Sequence, residues 1–161
     1  MGSGKSCTGK LLAETLQYNF VDLDEQIEKA EGKSIRLVFM ENGEDYFRKK
    51  EATILRLVQD KSPIVLATGG GTPCFFDNIT FLLENFTCFY LNPDTDLLAN
   101  RLVKETAVRP VLDSATGYKE ILQRIRELQT ERGHYYEQAD FKISFDETSQ
   151  HHLHKLILDK L

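Results

Sequence analysis

The run Gly2-Ser3-Gly4-Lys5-Ser6 constrains this chain more than any other feature of its sequence. It matches the closing part of the phosphate-binding pattern G-x-x-x-x-G-K-[ST]. In that pattern glycines let backbone N–H groups wrap a polyphosphate, the lysine reaches the β- and γ-phosphates, and the hydroxyl ligates Mg2+. A glycine-rich cloning tag could mimic the run. A tag would not pass directly into an apolar helix, however, and here Leu11, Leu12 and Leu16 fall on one helical face. The start of the chain therefore asks for an architecture in which a helix opens onto bound phosphate.

With 161 residues the chain fits one domain, 1–161, large enough to bury about two thirds of its unfolded surface. A formal net charge of -5 argues against a nucleic-acid partner, whose footprint is a basic face. Any bound anion must be met by a few placed cations. No apolar run approaches a membrane span, so no membrane partner is expected. The three cysteines, Cys7, Cys74 and Cys88, show no paired metal-ligand spacing and suit a reducing compartment. The first residues lack the basic-then-apolar order of a secretory signal. We expect a cytoplasmic monomer.

Short apolar runs alternate with helical periodicity. Phe20–Asp22, Ile64–Thr68, Thr87–Leu91 and Phe141–Phe145 read as strands, the second and third apolar enough for burial on both faces. Helical patterns cover about 5–18, 24–31, 34–59 with a break at Asn42-Gly43, 77–85, 94–103, 118–138 and 149–160. Such alternation predicts an α/β fold, a parallel sheet with helices on both faces and ligands at the carboxyl ends of the strands. The polar segment 104–117, with Arg109-Pro110, is a candidate lid.

Four further features carry chemistry. Asp22 and Asp24 end the first strand, and in extended chain their carboxylates would point the same way. One can serve Mg2+ and the other an attacking hydroxyl, although either could simply cap the following helix. Gly69-Gly70-Gly71 follows a buried strand, where bare backbone permits close approach of a ligand. Arg48 offers a fork for a carboxylate, and Glu51, one turn on, could hold that fork. Arg109 in the candidate lid can neutralise charge on a transferring phosphoryl group, and Arg132 can bind an anionic substrate. Surface solvation is the alternative for both arginines.

In order and spacing these motifs resemble shikimate kinase. The residues concerned are Met1-Gly2-Ser3-Gly4-Lys5-Ser6, Phe20-Val21-Asp22-Leu23-Asp24, Gly43-Glu44 with Phe47-Arg48 and Glu51, Ala67-Thr68-Gly69-Gly70-Gly71, Arg109-Pro110, and Glu131-Arg132 with Tyr136 and Ala139-Asp140. The likeness leaves only the last helix generic. It implies a three-layer P-loop kinase fold of the nucleoside-monophosphate-kinase type. It also implies ATP- and Mg2+-dependent phosphorylation of the 3-hydroxyl of shikimate, in chorismate and aromatic amino acid biosynthesis.

By that likeness Gly2, Ser3, Gly4, Lys5, Ser6, Cys7 and Arg109 would bind ATP, and Ser6 with Asp22 would serve Mg2+. Asp24, Lys5 and Arg109 would carry the chemistry. Asp24, Arg48, Gly69, Gly70, Gly71 and Arg132 would bind shikimate. Cys7 stands where the family often has Thr, and His134-Tyr135 where it often has Pro-Leu. The family's sheet has five strands, and its first, before the phosphate loop, is expected to be absent from this chain, at a cost in stability. Another small-metabolite kinase of the same fold, such as a gluconate kinase, and a non-catalytic binding module are the competing readings.

Overall fold

The structure, a computed structural model, describes residues 2–58, 63–104, 117–146 and 150–161. Two compact units emerge, one of Lys5–Phe86 and one running from Thr87 to Leu161 and including the chain start up to Gly4.

In the first unit, α1 (Lys5–Leu16) leads through left-handed Gln17 into β1 (Asn19–Asp22). Gly9 lets α1 lie flush on that strand, because a Cβ there would stand 2.7 Å from the Phe20 ring. The chain then forms α2 (Leu23–Glu31), the long α3 (Ile35–Val58) and β2 (Ile64–Ala67), which pairs parallel with β1 from Asn19↔Ile64 to Asp22↔Ala67. Gly32, left-handed at φ 66°, ends α2. Gly43, at φ 80° and ψ 173°, breaks α3 where the sequence reading expected it. Val38, Phe47, Leu55 and Val58 turn one face of α3 into the core, with Leu23 and Ile27 of α2. After the glycine run comes a 3-10 turn at Thr72–Cys74, then α4 (Asn78–Asn85).

The parallel register places the carboxyl ends of β1 and β2 side by side, Asp22 opposite Ala67. The two carboxylates and the glycine run thus leave the ladder at the same end, as a parallel sheet requires.

In the second unit, β3 (Phe89–Pro93) pairs parallel with β4 (Phe141–Phe145), and α5 (Thr95–Lys104), α6 (Tyr118–Tyr136) and α7 (Gln150–Leu158) complete it. Ala99 and Leu102 of α5 pack with Ile121 and Ile125 of α6 in a shared core. Gly2 is seated here at φ 63°. A Cβ on it would meet Leu98 at 2.9 Å, and its carbonyl accepts from Arg101 Nη1 at 2.9 Å. The Asp140 carboxylate accepts the Cys88 N–H at 2.7 Å and so fixes where β3 begins.

The described strands pair in two parallel two-stranded ladders, β1 with β2 and β3 with β4. One expectation needs correcting: β2 and β3 are mostly half-buried rather than buried on both faces. Among the described residues no helix is long and apolar enough to cross a membrane.

Candidate active site

Gly4, at φ 86°, hands the glycine loop to the first turn of α1, where Lys5 and Ser6 stand. Ser6 donates its hydroxyl hydrogen to Asp22 Oδ2 at 2.6 Å, and Lys5 Nζ lies 3.8 Å from the same oxygen and 3.4 Å from Ser6 Oγ. The lysine contacts are long and its side chain is partly exposed, so its charge is only loosely compensated. Cys7, the next residue, is exposed.

Asp22 is buried and uses both oxygens. While Oδ2 faces Ser6 and Lys5, Oδ1 accepts the Asp24 N–H at 3.1 Å and caps α2. The capping expected as one alternative for this residue is present, and the same carboxylate also accepts the Ser6 hydroxyl. The expected strand alternation of Asp22 and Asp24 is corrected. The strand stops at Asp22, and Asp24 lies in the first turn of α2. A helical turn, not a pleat, sets its direction. Its Oδ1 reaches the glycine run, 3.5 Å from where a Gly69 Cβ would be.

Arg48 is buried on α3 between two acids. Its Nε and Nη2 donate to Glu44 Oε1 at 3.1 and 3.0 Å, and its Nη1 donates to Glu51 Oε2 at 2.8 Å. The guanidinium lies over the rings of Phe47 and Phe75, at 5.0 and 4.5 Å. Of the five N–H donors of a guanidinium, one on each terminal nitrogen therefore remains unused by described residues. Gly71 is flush against this group, since a Cβ there would stand 2.6 Å from Nη2. Glu51 is fully buried, and its other oxygen accepts from Thr72 Oγ1 at 2.7 Å. Burial raises the Glu51 pKa above its ordinary value, against the pull of Arg48 and of the Thr72 hydrogen bond.

Arg132, in the other unit, is half-buried on α6, and no ion pair to it is found among the described residues. Arg109 and most of the candidate lid lie outside the described residues.

Sequence reasoning passed over Thr72, Phe75 and the supporting role of Glu44. The spacing Glu44-Arg48, one helical turn, carried a signal for the last. Nothing local marks Thr72, which meets Glu51 from 21 positions away.

The family model for shikimate kinase matches residues 1–161. A shikimate kinase of Persephonella marina is 38% identical over 161 residues, covering 100% of this chain and 94% of its own. One from Chlorobium phaeobacteroides is 40% identical over 149 residues, covering 90% of this chain and 78% of its own. Among solved structures, the shikimate kinase of Bacteroides thetaiotaomicron superposes with a TM-score of 0.88 at 32% identity, covering 98% of this chain and 94% of that one. That of Acinetobacter baumannii, in complex with shikimate, gives 0.91 at 31% identity, covering 99% and 87%. The fold is that of the P-loop kinases, and the chain belongs to the shikimate kinase family.

Proposed function

We propose that this chain transfers the γ-phosphoryl group of ATP to the 3-hydroxyl of shikimate, giving shikimate 3-phosphate and ADP. The observation that carries the reading is the Arg48 fork. Glu44 and Glu51 hold it rigid, and it still offers one N–H from each terminal nitrogen, the pair of donors a carboxylate takes in bidentate fashion. Arg132 would supply the second cation, and Gly69, Gly70 and Gly71 would let the substrate ring approach the backbone.

Gly2, Ser3, Gly4, Lys5, Ser6 and Cys7 would bind the ATP phosphates, and Arg109 would close over the nucleotide. Lys5, loosely held, is able to turn toward the γ-phosphate and stabilise charge there as transfer proceeds. Asp24 would orient the hydroxyl and accept its proton as the new O–P bond forms and the bond to the β-phosphate oxygen breaks.

The donor set beside the loop fits Mg2+. Ser6 and Asp22 are hard oxygen donors, and among the described residues there is no cluster of three or more His, Cys, Asp or Glu that would cage a metal alone. Ser6 and Asp22 would hold the ion, which when bound would neutralise phosphate charge.

ATP dependence and a cysteine pattern without disulfide-framework spacing support a cytoplasmic location.

A coupled ADP-release assay across shikimate, gluconate and nucleoside monophosphates tests the reading, with the product identified by mass spectrometry. We expect release with shikimate alone. Release with gluconate instead would move the chain to the competing kinase class, and shikimate binding without release would make it a binding module.

A further inference from the structure

A buried polar chain runs through the first unit behind Arg48. Glu51 holds the Arg48 guanidinium through one oxygen and accepts the Thr72 hydroxyl through the other, at 2.8 and 2.7 Å. Thr72 is itself fully buried. Its N–H donates to the Gly69 carbonyl at 3.1 Å, closing the turn of the glycine run, and its carbonyl accepts from Asn78 Nδ2 at 2.9 Å. Asn78, also fully buried, uses its Oδ1 to accept from Arg56 Nη1 at 2.9 Å. Arg56 in turn donates through Nη2 to the Phe76 carbonyl, inside the left-handed pair Phe76 and Asp77, at φ 49° and 54°.

Glu51, Thr72 and Asn78 each bond a partner on both sides of the path. Fully satisfied buried networks fix a single arrangement of their members, and a missing one leaves its neighbour unpaired at a cost. The path ends on two objects that must be correctly aimed, the Arg48 fork and the glycine run pressed against it.

We propose that Thr72 is a positioning residue for substrate recognition. Its hydroxyl fixes Glu51, Glu51 fixes the Arg48 fork, and Asn78 with Arg56 holds Thr72 itself in register. This rests on the reading that Arg48 takes the substrate carboxylate. A threonine at this position does what a small apolar residue could not, because it gives the buried Glu51 a second hydrogen bond.

The test compares wild type with Thr72→Val, which keeps the volume and removes the hydroxyl, and Thr72→Ser, which restores it. Shikimate and ATP affinities are measured by calorimetry from pH 6 to pH 8. The 15N resonance of Arg48 Nε, assigned by its loss in Arg48→Lys, is followed without ligand. Thr72→Val should weaken shikimate binding about tenfold and leave ATP binding unchanged. Thr72→Ser should stay within about twofold of wild type. Glu51 faces Arg48, Asp24 and Thr72, and Arg48 is shared with Glu44. Without the Thr72 hydrogen bond its proton is held more tightly, so acid weakening of shikimate binding should begin at higher pH in Thr72→Val. The Arg48 Nε resonance should broaden.

Should the valine variant fold poorly, Thr72→Ala carries the same expectations. An unchanged shikimate affinity in the hydroxyl-free variant, an equal loss for ATP, or failure of serine to restore binding would overturn the proposal. If wild type does not bind shikimate, the substrate reading has failed, and the Arg48 resonance still decides whether Thr72 orders the fork.

Discussion

A Cβ placed on Gly71 would stand 2.6 Å from Arg48 Nη2 and 2.9 Å from both Cζ and Nη1. The guanidinium has nowhere to retreat, since Glu44, Glu51, Phe47 and Phe75 surround it. Gly71→Ala should therefore displace the fork and weaken shikimate binding about tenfold or more, with ATP binding intact. Calorimetric titration with each ligand checks this, and wild-type shikimate affinity would mean the fork can shift without consequence.

Lys5 is partly exposed and held only by contacts of 3.4 and 3.8 Å. Lys5→Met should thus cost little stability but lower turnover by about a hundredfold or more, because the cation that follows the γ-phosphate is gone. Steady-state rates set beside thermal melts separate the two effects. Near-normal turnover would refute the role given to Lys5.

Asp22 and Asp24 should differ in their response to metal. Asn is as good a helix cap as Asp, so Asp22→Asn should fold and show a rate defect that shrinks as Mg2+ is raised. Asp24→Asn should keep nucleotide binding, lose about a hundredfold in turnover or more, and gain nothing from added Mg2+. Initial rates across a MgCl2 titration decide the assignment, and rescue of the Asp24 variant alone would exchange the two roles.

Glu51 titrates above its ordinary value of 4.5, chiefly because burial disfavours its charge. The folded state then binds this proton more tightly than the unfolded chain. Its contribution to stability is present below the unfolded value and is lost as pH rises through the folded value. Glu51→Gln cannot titrate, so the melting temperature of wild type relative to this variant should fall as pH rises above about 4.5. A rise instead would mean that Arg48 outweighs burial.

Local chemistry made much of the fold legible. Gly43 announced the break in α3, and apolar runs located all four described strands. Where readings slipped, a distant partner had decided the matter. The third strand was expected at Thr87–Leu91 and lies at Phe89–Pro93, because β4 begins opposite Phe89 and the Cys88 N–H goes to Asp140 instead. The helix expected over 24–31 begins one residue earlier, at Leu23, so the Asp24 side chain takes its direction from a helical turn and not from extended chain. At the site, side chains within one helical turn, such as Arg48 and Glu51, could be paired on paper. Thr72 and Asn78 could not be paired with Glu51 and Arg56, since those partners are brought to them only when the segment after the glycine run meets α3.

The double use of Asp22 bears on how variation at this position would be interpreted. One oxygen closes the end of a helix and the other faces the phosphate loop. A library of substitutions scored for folded protein and again for growth without supplied aromatic amino acids would mark most replacements of Asp22 as harmful twice over. The two screens would agree there for unrelated reasons, whereas at Lys5 they should part company. Agreement between such scores is therefore no sign that a residue is merely structural, and replacements that preserve the cap, such as Asn, are the ones that pull the two scores apart.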